Sequence, residues 1–366
     1  MMPTRSLPLP GTPVEELDTP AIVVDLDVVD SNLAKMQQVV TKNGTAIRPH
    51  TKTHKSPYFG WKQMRAGALG LTCSKVAEAE VLVDGGLTEI LIANEIVGPS
   101  KTARLAALNR RANVVVAVDD PGNVRELSAA AVRAGVTIGV VVDVNIRLNR
   151  CGVEPGEPAT TLARMVASAR GLRFDGLMGY EGHVSAPPGE KQEIVTQAMK
   201  KFKAAMDDVK AAGLPVKIMT AGGTSTYATT GAVKFVTDIQ AGSYIFMDGA
   251  YLKEMSDFDL ALTVASTVIS RPTPDRAVLD IGRKSMNAES GLPAVVDLPG
   301  ATFARLNEEH GILQLEGDAR RLKVGDRVSL MPMTCSTTIN IHDYYFCVRD
   351  GRLEDVVPVA GRGAFW

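Results

Sequence analysis

The stretch NVVVAVDDPGNVRELSAAAVRAGVTIGVVVDVN, residues 113–145, decides the fold. Two valine-rich runs, 113–119 and 137–145, have the length and the β-branched residues of strands. Between them, 123–134 is spaced as an amphipathic helix, and Gly135 follows where a left-handed C′ residue is expected. Strand, helix and strand in succession read as a βαβ unit, whose two strands run parallel.

The same rhythm extends from about residue 43 to about residue 248. Further strands are predicted at 45–52, 68–74, 89–94, 172–180, 215–221 and 237–244, and helices at 102–111, 158–170 and 190–212, the last two followed by Gly171 and Gly213. Eight such units argue for a closed (β/α)8 barrel, with an open doubly wound sheet as the alternative. The link 224–234 contains little that looks helical. Before the barrel, 20–26 (PAIVVDL) reads as a strand and 28–40 as a helix. After about residue 260 the helical period fades. TVASTVIS (263–270), RAVLDIG (276–282), GILQLE (311–316), DRVSLMP (326–332) and YYFCVRDG (344–351) are strands, separated by turns such as Pro274-Asp275, Pro299-Gly300 and Asp350-Gly351. The expected architecture is α/β: a (β/α)8, TIM-like barrel over 27–260, plus a mostly β C-terminal domain, 261–366, that includes the N-terminal strand in 1–26.

With 45% apolar and 22% charged residues, the composition is that of a globular domain. The 40 basic and 41 acidic residues are mixed along the chain, so no stripe suggests nucleic acid. Cys73, Cys151, Cys335 and Cys347 are scattered without a C-x-x-C pair, which suits reduced thiols in the cytoplasm. The start, MMPTRSLPLPGTP, lacks the apolar core of a signal peptide. No apolar run approaches the ~20 residues of a membrane helix. A cytoplasmic protein with no membrane or nucleic-acid partner is expected.

In a parallel barrel the active site forms where strands end. Those ends carry Arg48-Pro49-His50-Thr51-Lys52-Thr53-His54-Lys55, Cys73-Ser74-Lys75, Ala93-Asn94-Glu95, Asp119-Asp120, and Asn145 with the turn Asn149-Arg150-Cys151-Gly152. They also carry Tyr180-Glu181-Gly182-His183, Gly222-Gly223-Thr224-Ser225-Thr226 and Gly242-Ser243-Tyr244. The Gly-Gly-Thr-Ser turn, with Gly242-Ser243 as a second edge, suits a phosphate, although an ordinary tight turn has the same residues. Lys52, among Arg48, His50, His54 and Lys55, stands in a cationic setting that lowers an amine pKa, as a Schiff-base lysine requires. A solvated basic loop is the plainer reading. Three of the five histidines, His50, His54 and His183, fall at strand ends, a placement that suits acid–base chemistry.

The segment Arg48-Pro49-His50-Thr51-Lys52-Thr53-His54-Lys55 resembles the R-P-H-x-K-x-x-K segment of D-threonine aldolases and D-serine dehydratase-like enzymes, fold-type III pyridoxal-phosphate (PLP) enzymes related to alanine racemase. The similarity continues through Thr19-Pro20-Ala21, Asn94-Glu95-Ile96-Val97-Gly98-Pro99, Arg150-Cys151-Gly152-Val153, Gly222-Gly223-Thr224, Gln240-Ala241-Gly242-Ser243-Tyr244, Phe246-Met247-Asp248, Glu309-His310-Gly311 and Asn340-Ile341-His342-Asp343. It implies that Lys52 holds PLP as a Schiff base, with Lys55 as the rival. It places Arg150 against the cofactor ring, where an arginine keeps the pyridine nitrogen unprotonated and the ring a weaker electron sink. His50 and Tyr180 stand beside the cofactor, with His183 close by. Gly222, Gly223, Thr224, Gly242, Ser243 and Tyr244 complete the cofactor site. A homodimer is implied, with Glu308, Glu309 and His310 reaching the partner's site. The catalytic candidates are therefore Lys52, Tyr180, His183 and His310.

Two departures from the family pattern matter. Metal-dependent members carry a histidine and an acid or thiolate where this chain has Thr334 and Ser336, hydroxyls that are poor replacements as ligands, so no metal is expected there. Cys335, His342 and Asp343 are nearby substitutes, and a structural role is expected for the last two. Ser74 stands where related aldolases often carry glutamine. The resemblance implies an aldolase that splits a small D-3-hydroxy amino acid into glycine or another amino acid and an aldehyde. The alternatives are a metal-independent racemase or epimerase, a dehydratase, and a non-catalytic PLP carrier, against which the second domain argues.

Overall fold

The computed structural model describes residues 7–296 and 298–366. By contacts the chain forms two compact units: one runs to Leu33 and resumes over Ser243–Arg362, and the other spans Ala34–Gly242 with Gly363–Trp366.

In chain order the first unit begins with β1 (Ala21–Asp25), and α1 (Leu26–Asn43) runs on into the second. Leu26, Val29, Leu33, Met36 and Val40 are its buried apolar residues, three or four apart as a one-faced helix requires. The second unit continues with β2 (Ala46–Ile47), α2 (Pro57–Arg65), β3 (Leu71–Cys73), α3 (Val76–Asp84), β4 (Glu89–Glu95), α4 (Pro99–Leu108), β5 (Asn113–Val118) and α5 (Pro121–Ala134). It ends with β6 (Ile138–Val144), α6 (Glu157–Ser168), β7 (Leu172–Gly179), α7 (Pro188–Ala211), β8 (Ile218–Ala221), α8 (Tyr227–Gly231) and β9 (Asp238–Ile239). The weakly helical link holds only a 3-10 turn, Thr224–Thr226, and the short α8.

These eight strands pair in parallel in the order β2-β9-β8-β7-β6-β5-β4-β3. The two ends of that order also meet. His50 bridges Thr72 in parallel, Thr51 N–H donates to the Thr72 carbonyl at 2.7 Å, and Thr72 N–H donates to the Pro49 carbonyl at 2.8 Å. The sheet therefore closes, and the open doubly wound alternative falls. Alternation along the strands sorts the core. Val114, Val116 and Val118 join the large cluster with the helices, whereas Leu91, Val115, Ala117, Val141 and Met178 form a separate small cluster from the alternate positions.

The first unit resumes with α9 (Gly249–Leu252), β10 (Leu262–Thr273), β11 (Arg276–Leu279), β12 (Ala294–Val295), β13 (Ala301–Leu306), β14 (Gly311–Leu315), β15 (Arg327–Met331), α10 (Cys335–Ile339), β16 (Tyr344–Arg349) and β17 (Arg352–Pro358). Its central path runs β13-β14-β11-β10-β1-β16-β17, with β15 joining β10 and β12. The early strand does pair with the late ones: β1 is antiparallel to β10 and parallel to β16. Sequence reading missed β12, β13 and β17. In β13 only Ala301 and Leu306 are buried, so alternation is broken, and β17 carries Glu354 and Asp355 among its apolar residues.

Gly176 on β7 has φ +150°, and a Cβ there would overlap the Ile218 carbonyl of β8. Gly176→Ala should therefore lower stability by about 2–4 kcal/mol, read as a drop in the urea midpoint. An unchanged midpoint would mean that the β7–β8 seam tolerates a side chain.

Candidate active site

The segment that follows β2 sits on the closing seam. Arg48 N–H and His50 N–H donate to the carbonyls of Ile239 and Ala241 at 2.9 and 3.1 Å, on the opposite side from Thr72. Residues 48–51 are therefore held between two neighbours, and Lys52 emerges where that ladder ends. Arg48 is buried against Asp238 at 3.4 Å, and Thr220 and Thr237 hydroxyls also donate to the Asp238 carboxylate, at 2.6 and 2.8 Å.

The expected cationic crowd around Lys52 is mostly neutralised. Lys55 pairs with Glu78 at 2.6 Å and lies over the Phe365 ring. Glu78 is fixed from its other oxygen by the backbone N–H groups of Ser74 and Lys75 at the start of α3. His54 is fully buried and accepts from Ser56 N–H at Nδ1, so its Nε2–H is the one that reaches Gln63, at 3.1 Å. Burial takes its pKa down to about 4, against the two hydrogen bonds, so His54 is a neutral packing residue. His50 is likewise held well below its ordinary pKa, by burial above all and then by the charge on Lys52. Its Nε2 lies 3.4 Å from the Ser74 hydroxyl.

Lys52 itself is exposed in surface area, yet loss of solvation is the largest cause lowering its pKa, with Arg150 second and Glu78 opposing. An open mouth admits water while surrounding the amine with protein, which reconciles the two. The cation that matters is thus Arg150, not the neighbouring histidines. A lysine with a lowered pKa supplies a neutral amine, the form that attacks a carbonyl.

Across the barrel, the Arg150 guanidinium lies 5.6 Å from the centre of the Tyr180 ring. Tyr180 in turn covers Gly223, where a Cβ would stand 3.4 Å from the tyrosine hydroxyl. The Gly222 N–H is already given to the buried Glu181 carboxylate at 3.2 Å, and the Gly223 N–H to the Thr226 hydroxyl at 3.2 Å. The turn Thr224–Thr226 that follows carries three hydroxyl side chains, and its Thr226 N–H goes to the Gly223 carbonyl at 3.2 Å. Gly242 is needed for close approach, because a Cβ would meet the His50 carbonyl oxygen at 2.7 Å. His183 is exposed on the loop after β7.

The structure therefore brings Lys52, His50, Arg150, Tyr180, Gly223, Thr224 and Gly242 to the strand ends of one unit. Ser243, Tyr244 and His310 belong to the other unit. There Tyr244 is buried with its ring 5.7 Å from Phe258, which makes it a core residue, and His310 is exposed between β13 and β14. Thr334 donates to the Ser290 hydroxyl at 2.8 Å. The buried Cys335 thiol bonds the Met247 carbonyl at 2.9 Å, His342 Nε2 donates to the Ser285 carbonyl at 2.7 Å, and Asp343 pairs with Arg362 at 2.7 Å. Each proposed substitute ligand already has structural work. Sequence reading missed two residues of consequence. Glu78 lies inside a helix, and Asp143 is the lone charge in the run Val140-Val141-Val142-Asp143-Val144. Its place two residues after the inward Val141 was the available signal.

A family model described as the alanine racemase N-terminal domain matches residues 24–249, and one described as a putative serine dehydratase domain matches 261–348. The chain is 38% identical to a D-threonine aldolase of an Arthrobacter species, over 97% of this chain and 95% of that one. It is 34% identical to a 3-hydroxy-D-aspartate aldolase of Paracoccus denitrificans, again over 97% and 95%. The crystal structure of D-threonine aldolase from Filomicrobium marinum superposes with a TM-score of 0.95 at 38% identity, covering 98% of this chain and all of that one.

Lys52→Ala should abolish the visible absorbance of bound cofactor, while Lys55→Ala keeps it. The reverse result would move the covalent link to Lys55. The buried His54 gives a second expectation. It stays neutral when folded, so the unfolded chain alone takes up its proton between about pH 6.5 and its folded value of about 4. Its contribution is whole above that window and is lost as pH falls through it. The stability difference between wild type and His54→Asn, from urea unfolding at several pH values, should shrink over that range; a constant difference would mean that the folded histidine is charged.

Proposed function

We propose a function from one premise: the chain belongs to the family of the alanine racemase N-terminal domain. It is a PLP-dependent lyase that splits a D-3-hydroxy amino acid, of the D-threonine or 3-hydroxy-D-aspartate kind, into glycine or another amino acid and an aldehyde. One observation at the site carries the reading. Of the two lysines that follow His50, Lys55 is committed to Glu78, while Lys52 has a lowered pKa and faces the charge of Arg150. Near-full-length similarity to two aldolases supports the reaction class.

The residues present fit the cofactor. Lys52 would hold it covalently and release it to the substrate amine; Arg150 would lie against its ring beside Tyr180. The phosphate would lie at the Thr224–Thr226 turn, with Gly223 and Gly242 leaving room for it. Gly222 gives its own N–H to Glu181, so it would shape that turn rather than donate to the phosphate. When bound, the cofactor draws electron density from the substrate α-carbon, so that a bond there can break heterolytically.

The rest falls to side chains. Arg150, a permanent cation, would keep a proton off the ring nitrogen of the cofactor. His50 is held neutral, so it adds no positive charge beside Lys52. A base must remove the substrate β-hydroxyl proton. His183, exposed at the end of β7, is the candidate within the barrel, and His310 of a partner subunit is the other. Thr334 and Ser336 offer only hydroxyls, so the reaction is proposed to run without a metal at that place. We also propose a homodimer, in which Glu308, Glu309 and His310, all exposed, meet the other subunit's site. The cysteines, three buried and one exposed, suit a cytoplasmic setting; among the described residues no helix is long and apolar enough to cross a membrane. The match to a putative serine dehydratase domain favours dehydration as the second reading.

Proton NMR of the PLP-loaded protein with D-threonine in EDTA should show glycine and acetaldehyde accumulating together. A 2-oxo acid instead would establish the dehydratase, and activity that returns only with added divalent metal would overturn the metal-free reaction.

A further inference from the structure

We propose that Glu95, Asp119 and Cys151, backed by Asp143, bind one divalent cation of the zinc class at the mouth of the barrel. The site is distinct from Thr334 and Ser336, and the inference stands whether or not the reaction above is correct.

Strand alternation produces the cluster. Val115 and Ala117 on β5 and Val141 on β6 belong to the inner cluster, so the next residues of the same parity are Asp119 and Asp143. Ala117 and Val141 are register partners, which makes the two acids neighbours one step higher. Glu95 closes β4 beside Ala117, after an irregularity in that ladder. Cys151 arrives from the turn that follows β6, which Asp119 anchors by accepting from Gly152 N–H at 3.0 Å. One ligand atom each from Glu95, Asp119 and Cys151 lies within 4.8 Å of the other two. Zinc bonds to oxygen and sulfur of about 2.0–2.3 Å bring donor atoms within about 4.6 Å of each other, so small side-chain rotations suffice. Carboxylates with a thiolate are a donor set that a borderline-soft cation accepts and that magnesium or calcium does not favour.

Two further observations ask for a positive occupant. Asp143 is 5% exposed, and its carboxyl faces the carboxyl of Glu95 within hydrogen-bond reach. Two carboxylates are both acceptors, so the contact is repulsive unless a proton or a metal ion lies between the groups. Glu95 Oε1 is also buried with no hydrogen-bond partner. Three carboxylates and the Cys151 thiolate against the single charge of Arg150 leave the site net negative, which favours a cation. Asp143, Arg150, Cys151 and Tyr180 line a small cavity at this point, which gives the ion an entrance. The consequence for the molecule is mechanical: a bound ion would tie the Asn149–Gly152 turn, and Arg150 with it, to three strands.

Cys151 is the one exposed thiol of the four, so a thiol reagent reads the site directly. The full-length holoenzyme, stripped with a chelator and dialysed, should show one fast thiol with Ellman's reagent. One equivalent of zinc should slow that thiol by about tenfold or more, and Asp119→Asn should weaken zinc binding in equilibrium dialysis by about tenfold or more while leaving the fast thiol in place. Zinc that binds without protecting Cys151, zinc that does not bind, or equal affinity in the Asp119→Asn protein would each overturn the site and leave a shared proton between Glu95 and Asp143.

Discussion

Three backbone hydrogen bonds and one bridge, between residues 47–51 and 69–72, close the barrel, and the rest of the site depends on them. A sheet that closes has no edge, and its alternate residues must either fill the interior or crowd its mouth. Here closure places His50 in the ladder and sends Lys52 out of it. The seam is reinforced by side chains on both flanks. Asp238 holds Arg48 on the β9 side, and Glu78 holds Lys55 on the α3 side. Each charge is buried with its partner, so neither can leave without exposing the other to a large desolvation cost. Lys52 is bracketed by two charges that are spoken for.

That bracketing changes how the electrostatics of the site should be understood. A list of basic residues around Lys52 suggests that like charge lowers its pKa. In the folded chain the buried histidines are neutral and Lys55 faces an acid, so solvation loss leads and Arg150, distant in sequence, supplies the charge. Arg150 therefore influences both sides of the mouth: it disfavours a proton on Lys52 and favours ionised Asp143. A single guanidinium held by its turn and by the Tyr180 face couples the two.

The barrel was legible because its strands are uniform. Runs such as Val114–Val118 have only one extended reading, and three of the glycines that end helices are where periodicity placed them. The placement of Lys52, Arg150, Tyr180 and Gly242 at one mouth was legible for a related reason, since strand ends in a parallel sheet face one way. What escaped was pairing. Nothing near Lys55 in sequence announces Glu78, and the motif containing Gly222 does not reveal that Glu181 takes its N–H. Tyr244 reads as a strand-end residue because the polar run before it suggests a loop, yet the ring packs on Phe258. In the other unit, irregular strands such as β13 and β17 are defined by partners rather than by their own pattern.

The position of β1 also orders events during synthesis. It leaves the ribosome first, but its two neighbours, β10 and β16, lie 241 and 323 residues further on by their first residues. The barrel strands, all between Ala46 and Ile239, are complete before either neighbour exists. The barrel sheet can thus close while an apolar segment, AIVVD, still lacks its strand neighbours. That waiting strand is a vulnerability to chaperone capture or to pairing with another nascent chain, and it makes the β-rich unit the last part of the molecule to gain its centre.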